Sequence, residues 1–152
     1  MIRVRPVFIW LARFAVAAVF LGACLAKIRD PELFALAVNR YRILPGEFVN
    51  LVAIVLPWIE LTAGLAVLAG PARLRAAGAT LIVGMLTVFT LAISLNLVRG
   101  IEASCGCFST RADAAVSDGW NLVRNGALIW LGLAVLRDAF RRACARAAGD
   151  SA

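Results

Sequence analysis

Three long apolar runs, Val7–Ala26, Phe48–Ala69 and Ala76–Val98, limit this chain to very few folds. About twenty residues at 1.5 Å each cover the roughly 30 Å hydrocarbon core of a bilayer, so each run is long enough to span it. Lipid offers the backbone no hydrogen bonds, and an open chain there must satisfy them within helices. A weaker fourth run goes from Trp120 to about Leu136, interrupted by Arg124 and Asn125; it still spans if Arg124 reaches the interface. With 62% apolar and 16% charged residues and a mean hydropathy of +0.88, lipid is the natural solvent of the whole chain. The expectation is an all-α integral membrane four-helix bundle. It is one domain over residues 1–152, with spans at about 7–26, 48–69, 76–98 and 120–140.

The first run follows Arg3 and Arg5, and Leu21-Gly22-Ala23-Cys24 bears a passing likeness to a lipoprotein cleavage box. Apolar character continues through Leu25 and Ala26, and the further spans hold the chain in the membrane without a lipid anchor. An uncleaved first helix is therefore expected. After it, Pro31 is followed by Phe34, Ala37, Val38 and Tyr41 at helical spacing, then Leu44-Pro45-Gly46. This pattern predicts a short amphipathic helix in the interface and a turn into the second span.

The net charge of +7 does not point to nucleic acid, because the sixteen Lys and Arg are scattered between apolar blocks. They read as interface anchors and topology signals. The amino end, the Gly70–Arg75 turn and the carboxyl tail hold eight of them, against six in the other two connections, Arg13 and Arg124 being set aside as intramembrane. That bias favours both termini in the cytoplasm of a bacterial inner membrane. Cys24, Cys105 and Cys107 then lie at the outer face and Cys144 at the inner.

The absence of histidine removes triads with a His base, His-ligated haem and the usual His-bearing zinc sites. Chemistry is left to Cys, carboxylate, Lys, Arg, Trp or a bound cofactor. Cys105-Gly106-Cys107 is the sharpest feature. Two thiols around a glycine can come close enough to bond, and so tight a ring makes an exchanging disulfide rather than a staple. The bland alternative is that the two bond elsewhere or stay reduced and idle. A metal is not expected, since a closed zinc site would have to recruit Cys24 and a carboxylate.

Cys24 and Lys27 share a face of the first helix. A nearby ammonium favours a thiolate at Cys24, or at Cys105 and Cys107 if their loop folds back. A packing cysteine and an anchoring lysine are the plainer alternative. Glu60 is the costliest residue, near the middle of the second span and three residues after Pro57. It must be paired, protonated or turned to a polar cavity, and the candidate partners are Arg124, Arg13 and Lys27. Asn96 and Arg99 line one face at the outer end of the third span, and Asn125 follows Arg124 in the fourth. Gly22, Ala63, Gly64, Gly78, Gly84, Gly126 and Gly132 read as small residues for close helix packing.

Several of these segments together carry a resemblance: Pro31-Glu32-Leu33-Phe34, Tyr41-Arg42-Ile43-Leu44-Pro45, Leu56-Pro57-Trp58-Ile59-Glu60-Leu61, Asn96-Leu97-Val98-Arg99-Gly100, Cys105-Gly106-Cys107-Phe108 and Leu122-Val123-Arg124-Asn125. From about Val7 to Phe140 the chain resembles the MauE proteins of methylamine utilisation, within the wider DoxX-like group of four-helix membrane proteins. The resemblance implies a part in making the disulfide-rich small subunit of methylamine dehydrogenase, beside a thioredoxin-like periplasmic partner. It makes Cys105 and Cys107 the redox pair and Glu60, Asn96 and Arg124 polar residues between the helices. Family members often continue Cys-Gly-Cys-Phe with Gly, where this chain has Ser109, a departure that bears on the turn and not on the thiols.

Three functions compete. The first is a thiol–disulfide relay through Cys105 and Cys107; the second is a non-catalytic assembly or chaperone subunit. The third is a quinone or small-molecule subunit built round Glu60 and Trp58, although no residue pattern identifies a quinone site.

Overall fold

The computed structural model describes residues 6–99 and 118–149. Their regular structure is helical throughout: α1 Pro6–Arg29, α2 Pro31–Arg40, α3 Gly46–Ala69, α4 Ala72–Val98 and α5 Asp118–Gly149. Three of these, α1, α3 and α4, are long and apolar enough to cross a membrane. In none of them is as much as half of the apolar stretch buried by the rest of the protein. Trp10, Phe14, Leu51, Ile54, Leu65, Leu81 and Val88 all point outward, as side chains do when the surrounding solvent is hydrocarbon.

The fifth helix is longer than expected and less apolar. It is 32 residues long, roughly 48 Å at 1.5 Å per residue, and it does not join the three apolar helices because Arg124, Arg137, Asp138, Arg141, Arg142 and Arg146 are strung along it. Near its end Arg142 Nε donates to Asp138 Oδ2 at 2.7 Å, one turn back.

The long helices pack in a cycle: α1 on α3, α3 on α4, α4 on α5 and α5 back on α1. The two-residue connection between α3 and α4 makes those two antiparallel. So are α1 and α3, since contacts that start at Arg13 and Val67 end at Lys27 and Glu60. Between them Ala12, Val16, Phe20, Ala63, Val67, Ala79, Ile82, Leu86, Leu128 and Val135 form the core. Hydrocarbon outside is as apolar as leucine inside, so close packing rather than water exclusion holds such helices together.

Glycine at two positions sets that closeness. A Cβ on Gly78 of α4 would lie 2.9 Å from the Ala63 carbonyl oxygen and from the Ala66 Cβ of α3. One on Gly132 of α5 would lie 2.9 Å from Cγ2 of Val83 on α4. Gly64 also faces a neighbour, the Leu21 side chain. The expectation fails for Gly22, Gly84 and Gly126, where an added Cβ meets nothing within 4 Å; helical spacing says which residues share a face but not which face meets a neighbour.

The short helix α2 starts at Pro31, whose fixed φ and missing N–H suit a first helical position. Phe34 is buried, and Ala37, Val38 and Tyr41 on the same face are half-buried, while Leu33 and Leu36 are exposed on the other. The buried face lies mainly on α3 and touches α1. Beyond α2 the chain reverses at Arg42, which takes a left-handed φ of 47° and donates its N–H to the Asn39 carbonyl at 3.1 Å.

Candidate functional site

An ion pair sits inside the protein where the sequence leaves Glu60 in need of a partner. Lys27 Nζ, one turn from the end of α1, donates to Glu60 Oε1 of α3 at 2.5 Å. The two side chains are 1% and 2% exposed, so the pair is withdrawn from the outer surface of the protein. Of the three candidates, Lys27 is thus the partner. A lysine stem of four methylenes on α1 spans the gap to α3, and the antiparallel packing sets the two residues level.

Pro57, also buried, lies one turn above Glu60 and cannot donate to the Ala53 carbonyl. Below it Thr62 Oγ1 turns back on the Trp58 and Ile59 carbonyls, at 3.0 and 3.1 Å. Trp58 itself is exposed, on a different face of α3 from Glu60.

Aromatic rings complete the surroundings of the ammonium. Lys27 Nζ is 4.8 Å from the centroid of Phe34, which α2 brings over the end of α1, and 5.5 Å from that of Phe89 on α4. Ring faces are electron-rich, and a cation taken from water gains from them. The short helix therefore contributes to the site, because its one buried residue roofs the pair.

Beside the pair is a cavity of about 30 Å³ lined by Lys27 and Glu60, by Arg124 and Asn125 of α5, and by apolar side chains that include Phe20, Leu86, Phe89 and Leu128. Among the described residues its polar atoms are incompletely satisfied, for neither Glu60 Oε2 nor Asn125 Nδ2 has a hydrogen-bond partner there. Nearer the end of α4, Asn96 is 2% exposed, with both amide atoms unpartnered among the described residues. Asn121, one turn before Asn125, is buried too. The sequence carries a sign of it, since Asn121, Asn125 and Leu128 share one helical face.

Cys24 is fully buried and its Sγ donates to the Leu21 carbonyl at 3.2 Å, while the Lys27 ammonium on the next turn is committed to Glu60. Arg99 is exposed just past the end of α4. Arg13, a candidate partner of Glu60, serves elsewhere. Its Nε and Nη2 donate to the Val67 and Leu68 carbonyls at 3.2 and 2.7 Å, filling acceptors left open at the end of α3, and its guanidinium stacks 4.4 Å from the Trp10 ring. Cys105 and Cys107 lie outside the described residues, in the connection from α4 to α5. Cys144 is exposed on the last turns of α5.

A family model described as methylamine utilisation protein MauE matches residues 5–137 of the chain. Among curated proteins, methylamine utilization protein MauE of Paracoccus denitrificans is 35% identical over 134 residues, covering 87% of this chain and 70% of the relative. The protein of the same name from Paracoccus versutus is 38% identical over 143 residues, 90% of this chain and 74% of the relative. For that of Methylophilus methylotrophus the figures are 34% over 103 residues, 67% and 53%, so the chain spans about half of that relative's length. No solved structure matches.

Proposed function

The chain belongs to the MauE family of methylamine utilisation proteins, and from that premise we propose that it is a membrane component of thiol–disulfide exchange in periplasmic protein maturation. It is a multi-pass membrane protein with three apolar spans. In the proposed arrangement α5 crosses as the fourth span of a four-helix bundle, residues 1–152 form one domain, and both termini face the cytoplasm across a bacterial inner membrane. The bias of Lys and Arg supports that orientation.

The observation that carries the reading is Cys105-Gly106-Cys107 in the connection between α4 and α5, in a chain whose relatives serve methylamine utilisation. A thiolate of a thioredoxin-like periplasmic partner attacks one sulfur of a Cys105–Cys107 disulfide, and a mixed disulfide forms as the other sulfur leaves. The partner's second thiolate resolves it, so two electrons pass to this chain and the partner becomes the disulfide; the reverse exchange follows the same path. The small subunit of methylamine dehydrogenase is the proposed final substrate. Cys24 is fully buried, and the exchange is assigned to Cys105 and Cys107 alone.

The cavity beside Glu60, at about 30 Å³, has room for about one or two waters and not for a quinone ring, which weighs against Glu60 as a quinone site. Trapping with a bulky maleimide in membranes, before and after mild reduction, tests the exchange. The expected result is a reducible pair at Cys105 and Cys107 and a partner held as a mixed disulfide in one single Cys→Ser variant. Free thiols throughout, or full function in the double Cys→Ser variant, would overturn it in favour of a non-catalytic assembly subunit.

A further inference from the structure

Two buried polar atoms beside the ion pair have complementary needs. Among the described residues Glu60 Oε2 lacks a donor and Asn125 Nδ2 lacks an acceptor, on side chains 2% and 3% exposed that line one cavity. Leaving either unmet costs about what a lost hydrogen bond costs. Water is both donor and acceptor, and a space of about 30 Å³, walled mostly by apolar side chains with these two polar groups in its lining, holds about one or two molecules of it. We propose that this cavity is a hydrated proton-binding site, in which water held between Glu60 and Asn125 exchanges protons with the Glu60 carboxylate inside the membrane.

The step balances with water alone. A hydronium arriving from the aqueous phase passes its proton to Glu60 Oε2, leaving a neutral carboxylic acid and a water in the cavity; the return step reverses it. Protonation removes the counter-ion of Lys27 but not its other support, because the rings of Phe34 and Phe89 remain against the ammonium. Among the described residues the charged and titratable groups around Glu60 are few. From α1 they are Lys27 and the Cys24 thiol one turn before it, and from α5 Arg124 at the cavity wall. The residues that α2 and α4 place there, Phe34, Leu86 and Phe89, carry no charge.

Further polar groups lead from the cavity along the helices. Asn121 is buried one turn beyond Asn125, and Asn96, buried with both amide atoms unpartnered, lies seven residues beyond Phe89, roughly 10 Å along α4. Both approach the end of the protein from which the α4–α5 connection leaves. This inference does not depend on the thiols.

The test is infrared difference spectroscopy of the full chain in lipid nanodiscs, titrated with acid in H₂O and in D₂O. The expected result is a carboxylic-acid carbonyl band that grows as pH falls, shifts in D₂O and is lost in Glu60→Gln. Asn125→Leu, which keeps the ion pair, is expected to lose the stretch of bound water and the rapid deuterium shift. Should Glu60→Gln fail to fold, the band is assigned with ¹³C-glutamate in a variant carrying Glu32→Gln, Glu47→Gln and Glu102→Gln, where Glu60 is the remaining glutamate. A titration without a Glu60 band, a band insensitive to D₂O, or unchanged spectra in Asn125→Leu would each overturn the proposal.

Discussion

Removing one member of the Lys27–Glu60 pair is expected to harm the protein far more than removing both. The pair is 2.5 Å apart with side chains 1% and 2% exposed, so neither charge can turn to the protein surface when the other goes. Loss of one partner from such a pair costs about 3–5 kcal/mol, whereas replacing both by apolar residues of similar size is often neutral or stabilising by about 1–4 kcal/mol. Lys27→Met and Glu60→Leu roughly keep the volumes, and a methionine sulfur still suits the rings of Phe34 and Phe89. Each single variant should therefore fall by about 3–5 kcal/mol, and the double variant should stay within about 1 kcal/mol of the parent or exceed it. Reversible denaturation in mixed micelles, followed by far-ultraviolet circular dichroism, reads all four corners of the cycle. A double variant as unstable as the sum of the singles would refute the reasoning, since it would mean that the two charges act on the fold independently.

Gly78→Ala brings a methyl group to 2.9 Å from the Ala63 carbonyl oxygen and Ala66 Cβ, which should cost about 1–3 kcal/mol by forcing α3 and α4 apart. Gly84→Ala, on the same helix with open space around it, should instead gain up to about 1 kcal/mol from helix propensity; thermal unfolding of the two side by side checks both. Arg42→Gly relieves a left-handed φ of 47° and should raise the melting temperature by an amount worth about 1 kcal/mol. An unchanged or lower melting point would mean that the Arg42 side chain holds the turn.

The three spans could be read directly from the chain because lipid makes a strict demand: a run of twenty apolar residues has one stable form there. The inward face of α2 was equally legible, since Phe34, Ala37, Val38 and Tyr41 repeat at the helical period and the fold turns that face to α3. The partner of Glu60 was narrowed to three cations but not chosen. That choice depends on how α1 and α3 are offset, and one turn of slippage would exchange one partner for another. Arg13 shows the same limit. It resembles any other cation in a span, yet its donors go to the open carbonyls at the end of α3, a role that exists once the two helices are side by side. Asn121 escaped notice because a single polar residue at a helix start reads as a surface residue until the packing covers it. Glycines mislead for a related reason: Gly84 and Gly126 lie in the same helices as Gly78 and Gly132 but meet no neighbour.

The burial of Lys27 against Glu60 also bears on how the chain enters a membrane during synthesis. A single charge near the centre of a helix raises its insertion free energy by about 2.5–3.5 kcal/mol, enough to hold a moderately apolar segment at the translocon. Glu60 emerges from the ribosome 33 residues after Lys27, with α2 and its turn between them as the hinge of a hairpin. If α1 and α3 partition together, lipid meets a neutralised pair instead of two ions. Pairing within a hairpin of α1 and α3 would let the Glu60 carboxylate enter the bilayer beside its counter-ion.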